Sequence, residues 1–194
     1  EFLSDKLIDT EYHKSLVTIQ PIGLVLGVMP WNFPFWQVFR FAIPTLITGN
    51  GAILKHASNV QGCASAIESS FLEAGFPKDI FRNISISGKN VKEVIKNKAI
   101  AAVTITGSTP AGSSVAQTAG KYLKKTVLEL GGSDPYIILD DADLDVAVKS
   151  CINGRILNTG QSCISAKRII VTKSLYHSFL KELNIELEKM IMGD

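Results

Sequence analysis

Three short stretches of this chain carry side chains suited to acyl transfer. Cys163 closes Asn158-Thr159-Gly160-Gln161-Ser162-Cys163, a polar turn with a glycine, in which a thiolate can be both exposed and held. The thiolate is the reactive form of cysteine, so Cys163 is read as a nucleophile. Glu129, in Leu128-Glu129-Leu130-Gly131-Gly132, is one carboxylate among apolar residues at an expected strand end. Desolvation there would favour its taking up a proton, the task of a general base. Asn32, in Met29-Pro30-Trp31-Asn32-Phe33-Pro34, is a neutral amide between prolines that stiffen its turn, as an oxyanion donor should be held. The plainer alternatives are a buried structural thiol for Cys163 and an exposed strand-end acid for Glu129.

The elements that must position these groups alternate in type. Residues 15–20 and the apolar run 22–28 read as strands, and apolar residues at helical spacing over 35–48 read as a helix ended by Gly49-Asn50-Gly51. A short buried strand at 52–54 delivers Lys55 at its C-terminal end. A helix over 60–74, a strand over 81–87, a helix over 90–97 and a strand over 100–105 follow. The fold class is therefore α/β, an open parallel sheet with ligands outside the carboxyl ends of its strands.

The turn Thr106-Gly107-Ser108-Thr109-Pro110-Ala111-Gly112 has glycine for close approach, hydroxyls to cap and proline near a first helical position. It reads either as a pyrophosphate site at a helix N-terminus or as a well-capped surface helix. Beyond Glu129 come a strand at 136–139, the acids Asp140, Asp141 and Asp143 opening a helix over 144–157, a strand at 168–172 and a helix over 175–192. Those acids are read as helix capping rather than a metal site.

Composition excludes several classes of function. The 194 residues are 46% hydrophobic, enough for a real core. Twenty basic residues stand against 18 acidic ones without a long run of one sign, so no nucleic-acid partner is expected. No stretch is long and apolar enough for a membrane span, and the first residues do not resemble a signal peptide, so a cytoplasmic location is expected. Cys63, Cys151 and Cys163 are odd in number and lack metal-ligand spacing, which points to reduced thiols and no metal.

The Pro-Trp-Asn-Phe-Pro, Glu-Leu-Gly-Gly and Gly-Gln-x-Cys segments, in this order and spacing, resemble the aldehyde dehydrogenase superfamily, most of all its succinate-semialdehyde dehydrogenases. The resemblance covers essentially the whole chain. It implies a Rossmann-like cofactor domain over residues 1–130 and the start of the catalytic domain over 131–194, as an internal fragment of a longer homo-oligomeric enzyme. It implies Cys163, Glu129 and Asn32 as catalytic residues. Trp31, Lys55, His56, Ala57, Ser58, Gly107, Ser108 and Leu130 would meet the cofactor, and Arg40 and Phe33 a small aldehyde substrate. Many relatives carry at Ser58 a glutamate that repels a 2′-phosphate, so NADP is expected, with NAD also possible. Arg40 would clamp the distal carboxylate of succinic semialdehyde.

Some departures accompany the match. Leu157 stands where some relatives have a second clamp arginine, Ser165 where some have a second cysteine, and the turn at Gly88 has one glycine where relatives often have two. A broad-specificity or coenzyme A-acylating dehydrogenase, or a nucleotide-binding fragment without turnover, are the alternatives.

Overall fold

The computed structural model describes residues 3–193, and these form two compact units, one ending at Leu130 and the other beginning at Gly131. In the first, β1 (Lys6–Ile8) and β2 (Ser15–Val17) form an exposed antiparallel pair. There follow β3 (Leu24–Met29), α1 (Trp36–Ile47), β4 (Gly51–His56), α2 (Gln61–Glu73) and β5 (Phe81–Asn83). Next come α3 (Val91–Lys96), β6 (Ile100–Thr106), α4 (Thr109–Lys121) and β7 (Lys125–Glu129).

Strands β3 to β7 make one parallel sheet in the order β5-β4-β3-β6-β7. The chain starts in the middle, builds outward on one side and then returns to build on the other. The carboxyl ends of β3 and β6 are therefore the switch point where such sheets open a ligand crevice. The turn holding Asn32 leaves β3, and the turn holding Gly107 leaves β6.

Alternation along β3 supplies both faces of the sheet. Met29 joins Val38, Ala42, Leu54, Ile67 and Phe71 in the core under α1 and α2. Leu26 joins Ile95, Val103, Ile105, Val115 and Ala119 under α3 and α4. Gly27 is buried between them, and a Cβ there would collide with the Phe41 ring of α1. Gly27→Val is expected to cost about 1–3 kcal/mol by overpacking. Chemical denaturation should show it as a lower midpoint with an unchanged slope, whereas an unchanged midpoint would mean that α1 is not seated by this contact.

In the second unit, β8 (Asp134–Ile138) pairs in parallel with β9 (Ala166–Val171) across α5 (Leu144–Ile156), and α6 (Tyr176–Glu188) follows. Ile138, Val148, Cys151, Ile152 and Phe179 form its core. Asp143 caps α5 by accepting from the Val146 N–H at 3.0 Å.

Several expected bounds shift. β8 begins at Asp134 although Pro135 follows, because the register slips between these two residues and no ladder bond is asked of the proline. The strand expected to run to residue 87 stops at Asn83, where the chain turns towards a 3-10 turn at Gly88–Asn90. The last helix stops at Glu188, and Met190, Ile191 and Met192 beyond it are exposed.

Candidate active site

In the first unit the Asn32 turn is held from beneath by a buried histidine. His56, at the end of β4, is 0% exposed. Its Nε2 lies 3.0 Å from the Pro34 carbonyl, and its Nδ1 lies 3.0 Å from the Ala57 N–H and 3.3 Å from the Met29 carbonyl. The His56 side chain is enclosed by the protein and acts on the turn. Asn32 and Phe33 are half-buried, and Trp31 is exposed.

Lys55 precedes His56 on the strand, so its side chain points to the other face. It lines a cleft of about 450 Å3 together with Val28, Lys89, Lys92, Ser114 and Thr118. Burial pushes the Lys55 ammonium below the usual lysine range. Ala57 is half-buried, and Ser58 is exposed at the start of a 3-10 turn.

The turn after β6 is partly committed to the protein itself. The Gly107 N–H donates to the Glu129 carbonyl at 2.9 Å, so that amide ties β6 to β7. Ser108 caps α4, accepting from the Ala111 N–H at 3.4 Å. Leu130 lies against Gly112, where any Cβ would strike its side chain.

A second cleft, also of about 450 Å3, opens between α1 and strands β3, β6 and β7, and is lined by Gln37, Arg40, Phe41, Thr104, Thr106 and Glu129. Arg40 Nη2 lies 3.5 Å from Glu129 Oε2, with the side chains 43% and 51% exposed. Within the described residues β7 is the edge strand of its sheet and all five of its residues are exposed. Gln37, one helical turn before Arg40, is 5% exposed, and its Oε1 has no partner among the described residues. A buried acceptor left in that state costs about 1–3 kcal/mol.

In the second unit Cys163 is half-buried at the end of a loop whose backbone is unusual. Asn158, Thr159 and Gly160 have φ of 53°, 55° and 77°, three left-handed residues in succession. The β-branched Thr159 is strained there, and such strain persists only where surrounding contacts impose it.

Those contacts are cationic. Arg155 Nη1 donates to the Gly160 carbonyl and to Ser165 Oγ, each at 3.4 Å. Arg155 is thus an anchor of the loop. Lys167 Nζ donates to the Gly132 carbonyl at 2.6 Å and to the Cys163 carbonyl at 3.0 Å, and Arg168 Nε to the Ser133 carbonyl at 3.0 Å. Lys167 escaped the sequence reading, since nothing in Ser165-Ala166-Lys167-Arg168 marks a contact reaching back to Gly132. Lys167→Met is expected to speed amide exchange across residues 158–164 roughly tenfold, measured by hydrogen–deuterium exchange. Unchanged exchange would show that the loop is held without it. Burial pushes the Cys151 thiol up, away from the reactive thiolate form.

Among the described residues no cluster of histidine, cysteine and acidic side chains could hold a metal, and no helix is long and apolar enough to cross a membrane. The described residues thus form a doubly wound α/β unit with polar turns at its switch point and a second unit bearing a cysteine on a fastened loop. The chain belongs to the aldehyde dehydrogenase family, whose sequence profile matches residues 2–194.

It is 51% identical over 194 residues to a Synechocystis protein named as a probable NADP-dependent succinate-semialdehyde dehydrogenase, covering 100% of this chain and 43% of that protein. It is 46% identical over 184 residues to the NAD(P)-dependent succinate semialdehyde dehydrogenase of Escherichia coli, covering 95% of this chain and 40% of that protein. The crystal structure of succinic semialdehyde dehydrogenase from Streptococcus pyogenes in complex with NADP superposes with a TM-score of 0.96 at 41% identity, over 100% of this chain and 42% of that one. The chain thus spans less than half the length of the curated relatives it matches.

Proposed function

We propose that residues 1–130 are the cofactor domain, and 131–194 the beginning of the catalytic domain, of a longer NADP-dependent dehydrogenase that oxidises succinic semialdehyde to the carboxylic acid. The observation that carries the substrate choice is Arg40, a half-exposed guanidinium in the same cleft as Glu129. A short aldehyde with a carboxylate at its far end offers that cation a planar, paired acceptor, while Phe33 and Phe41 suit its methylenes. The names of the Synechocystis and E. coli relatives support this substrate.

In this reading the Cys163 thiolate attacks the aldehyde carbon, and the Asn32 amide with a backbone N–H near Cys163 holds the resulting oxyanion. NADP, when bound, supplies the hydride acceptor. Glu129 then takes a proton from the water that attacks the thioester, the C–S bond breaks, and the thiolate of Cys163 is restored.

The residues present fit that cofactor. Lys55, Lys89 and Lys92 give one cleft three cationic side chains, and Ser58 adds a hydroxyl where an acid would repel a 2′-phosphate. The capped N-terminus of α4, with Ser108, suits the pyrophosphate, and Trp31, Ala57 and Leu130 would line the remainder. NAD would bind the same cleft without using its charge.

A pH dependence follows. A 2′-phosphate favours the charged form of Lys55, whose ammonium burial has destabilised. NADP affinity should therefore be full at neutral pH and fall as pH rises through the lowered value of Lys55, below the ordinary 10.5, while NAD affinity stays level. Calorimetric titrations across the alkaline range check this, and parallel curves for the two cofactors would remove Lys55 from phosphate recognition. The reaction itself is tested by initial rates of NADP reduction with succinic semialdehyde against butanal in the full-length protein. Faster turnover of butanal would end the substrate assignment. A product that changes from acid to thioester on adding coenzyme A would make the enzyme an acylating one.

A further inference from the structure

We propose that Arg40 restrains Glu129 until the substrate's own carboxylate takes over the guanidinium, so that the group identifying the substrate also releases the base. The inference rests on the roles just given to Arg40 and Glu129, and concerns how the two act on each other.

The pair joins α1 to the end of β7 across the cleft, Nη2 to Oε2 at 3.5 Å. That separation is longer than the 2.7–2.9 Å typical of charge-assisted hydrogen bonds. Within the described residues both side chains are about half exposed, at 43% and 51%. A pair this long is a weak one, and another carboxylate able to meet the guanidinium fork squarely can displace it. While it lasts, the carboxylate is drawn towards the cation and away from a water it would deprotonate. An entering distal carboxylate removes that attraction and adds like-charge repulsion, so Glu129 swings free as the substrate seats. An aldehyde of equal length without the carboxylate fills the apolar part of the cleft and leaves the pair intact. Selectivity would then lie in thioester hydrolysis as well as in binding.

The test isolates hydrolysis from hydride transfer. In the full-length protein, p-nitrophenyl butanoate and mono-p-nitrophenyl succinate each acylate Cys163, expelling p-nitrophenolate and leaving a butanoyl or a succinyl thioester. Water then attacks the acyl carbon, its proton passes to Glu129, and the thiolate leaves. Decay of each thioester is followed by mass spectrometry of quenched protein. In the unaltered enzyme the succinyl form should decay roughly two- to fivefold faster, the range a weak surface pair supports. In Arg40→Gln butanoyl decay should accelerate by about that factor, and the succinyl advantage should vanish. Arg40→Lys, which keeps a cation without the fork, should retain most of the restraint.

Butanoyl decay that is unchanged or slower in Arg40→Gln overturns the latch. If the KM for succinic semialdehyde nonetheless rises at least roughly tenfold, Arg40 keeps its clamping role and only the coupling fails. If that KM is also unchanged, the substrate role of Arg40 fails with it.

Discussion

Cys163→Ala is expected to abolish aldehyde-dependent NADP reduction in the full-length protein, by about 10^4-fold or more, with little loss of stability. The thiolate forms the covalent bond on which every later step depends, and alanine has nothing to form it with. The loop does not depend on the sulfur. Arg155 and Lys167 fasten it through the carbonyls of Gly160 and Cys163, and an alanine keeps both acceptors. The informative control is Cys151→Ala. That thiol is 1% exposed in the core of the second unit, so its loss should lower stability by about 1 kcal/mol and leave activity at the unaltered level. If the two variants exchanged phenotypes, the nucleophile would be Cys151 and the loop geometry would have misled.

Asn32→Ala is expected to lower kcat by about 10^2- to 10^3-fold, close to 3 kcal/mol of lost oxyanion stabilisation, while KM moves little. A donor aimed at charge that develops only during reaction contributes to the transition state and not to substrate binding. The turn around it should survive, because Pro30 and Pro34 restrict its backbone, His56 Nε2 meets the Pro34 carbonyl at 3.0 Å, and the Gln37 N–H donates to the Phe33 carbonyl at 3.1 Å. Steady-state kinetics with thermal unfolding as companion distinguishes this from a folding defect. A rise in KM at constant kcat would make Asn32 a binding residue instead.

The parallel sheet and the family could be read from residue types because strand and helix periodicities alternate cleanly and three chemical motifs fall at turns. What escaped were relations between distant segments. Leu128 and Leu130 flank Glu129 in sequence, but apolar letters read the same on a covered and an uncovered strand, so they do not tell that β7 pairs on one side only within the described residues. Strand alternation turns the His56 side chain inward, where the Pro34 carbonyl gives it a partner that no local sequence feature announces. Arg40 and Glu129 are brought together only by the return of the chain through β7, so their pairing is invisible before folding. The left-handed run at Asn158, Thr159 and Gly160 was half legible, since asparagine and glycine tolerate that region and threonine does not.

The most direct test of the account is to identify which cysteine becomes acylated during turnover. The full-length protein is mixed with NADP and succinic semialdehyde, quenched in acid within the first turnover, digested and examined by mass spectrometry. A succinyl thioester on the peptide carrying Cys163, present in the unaltered enzyme and accumulating further in Glu129→Gln, is the predicted result. Reduced cofactor forming with Cys163 unmodified, or with the acyl group on Cys63 or Cys151, would contradict it.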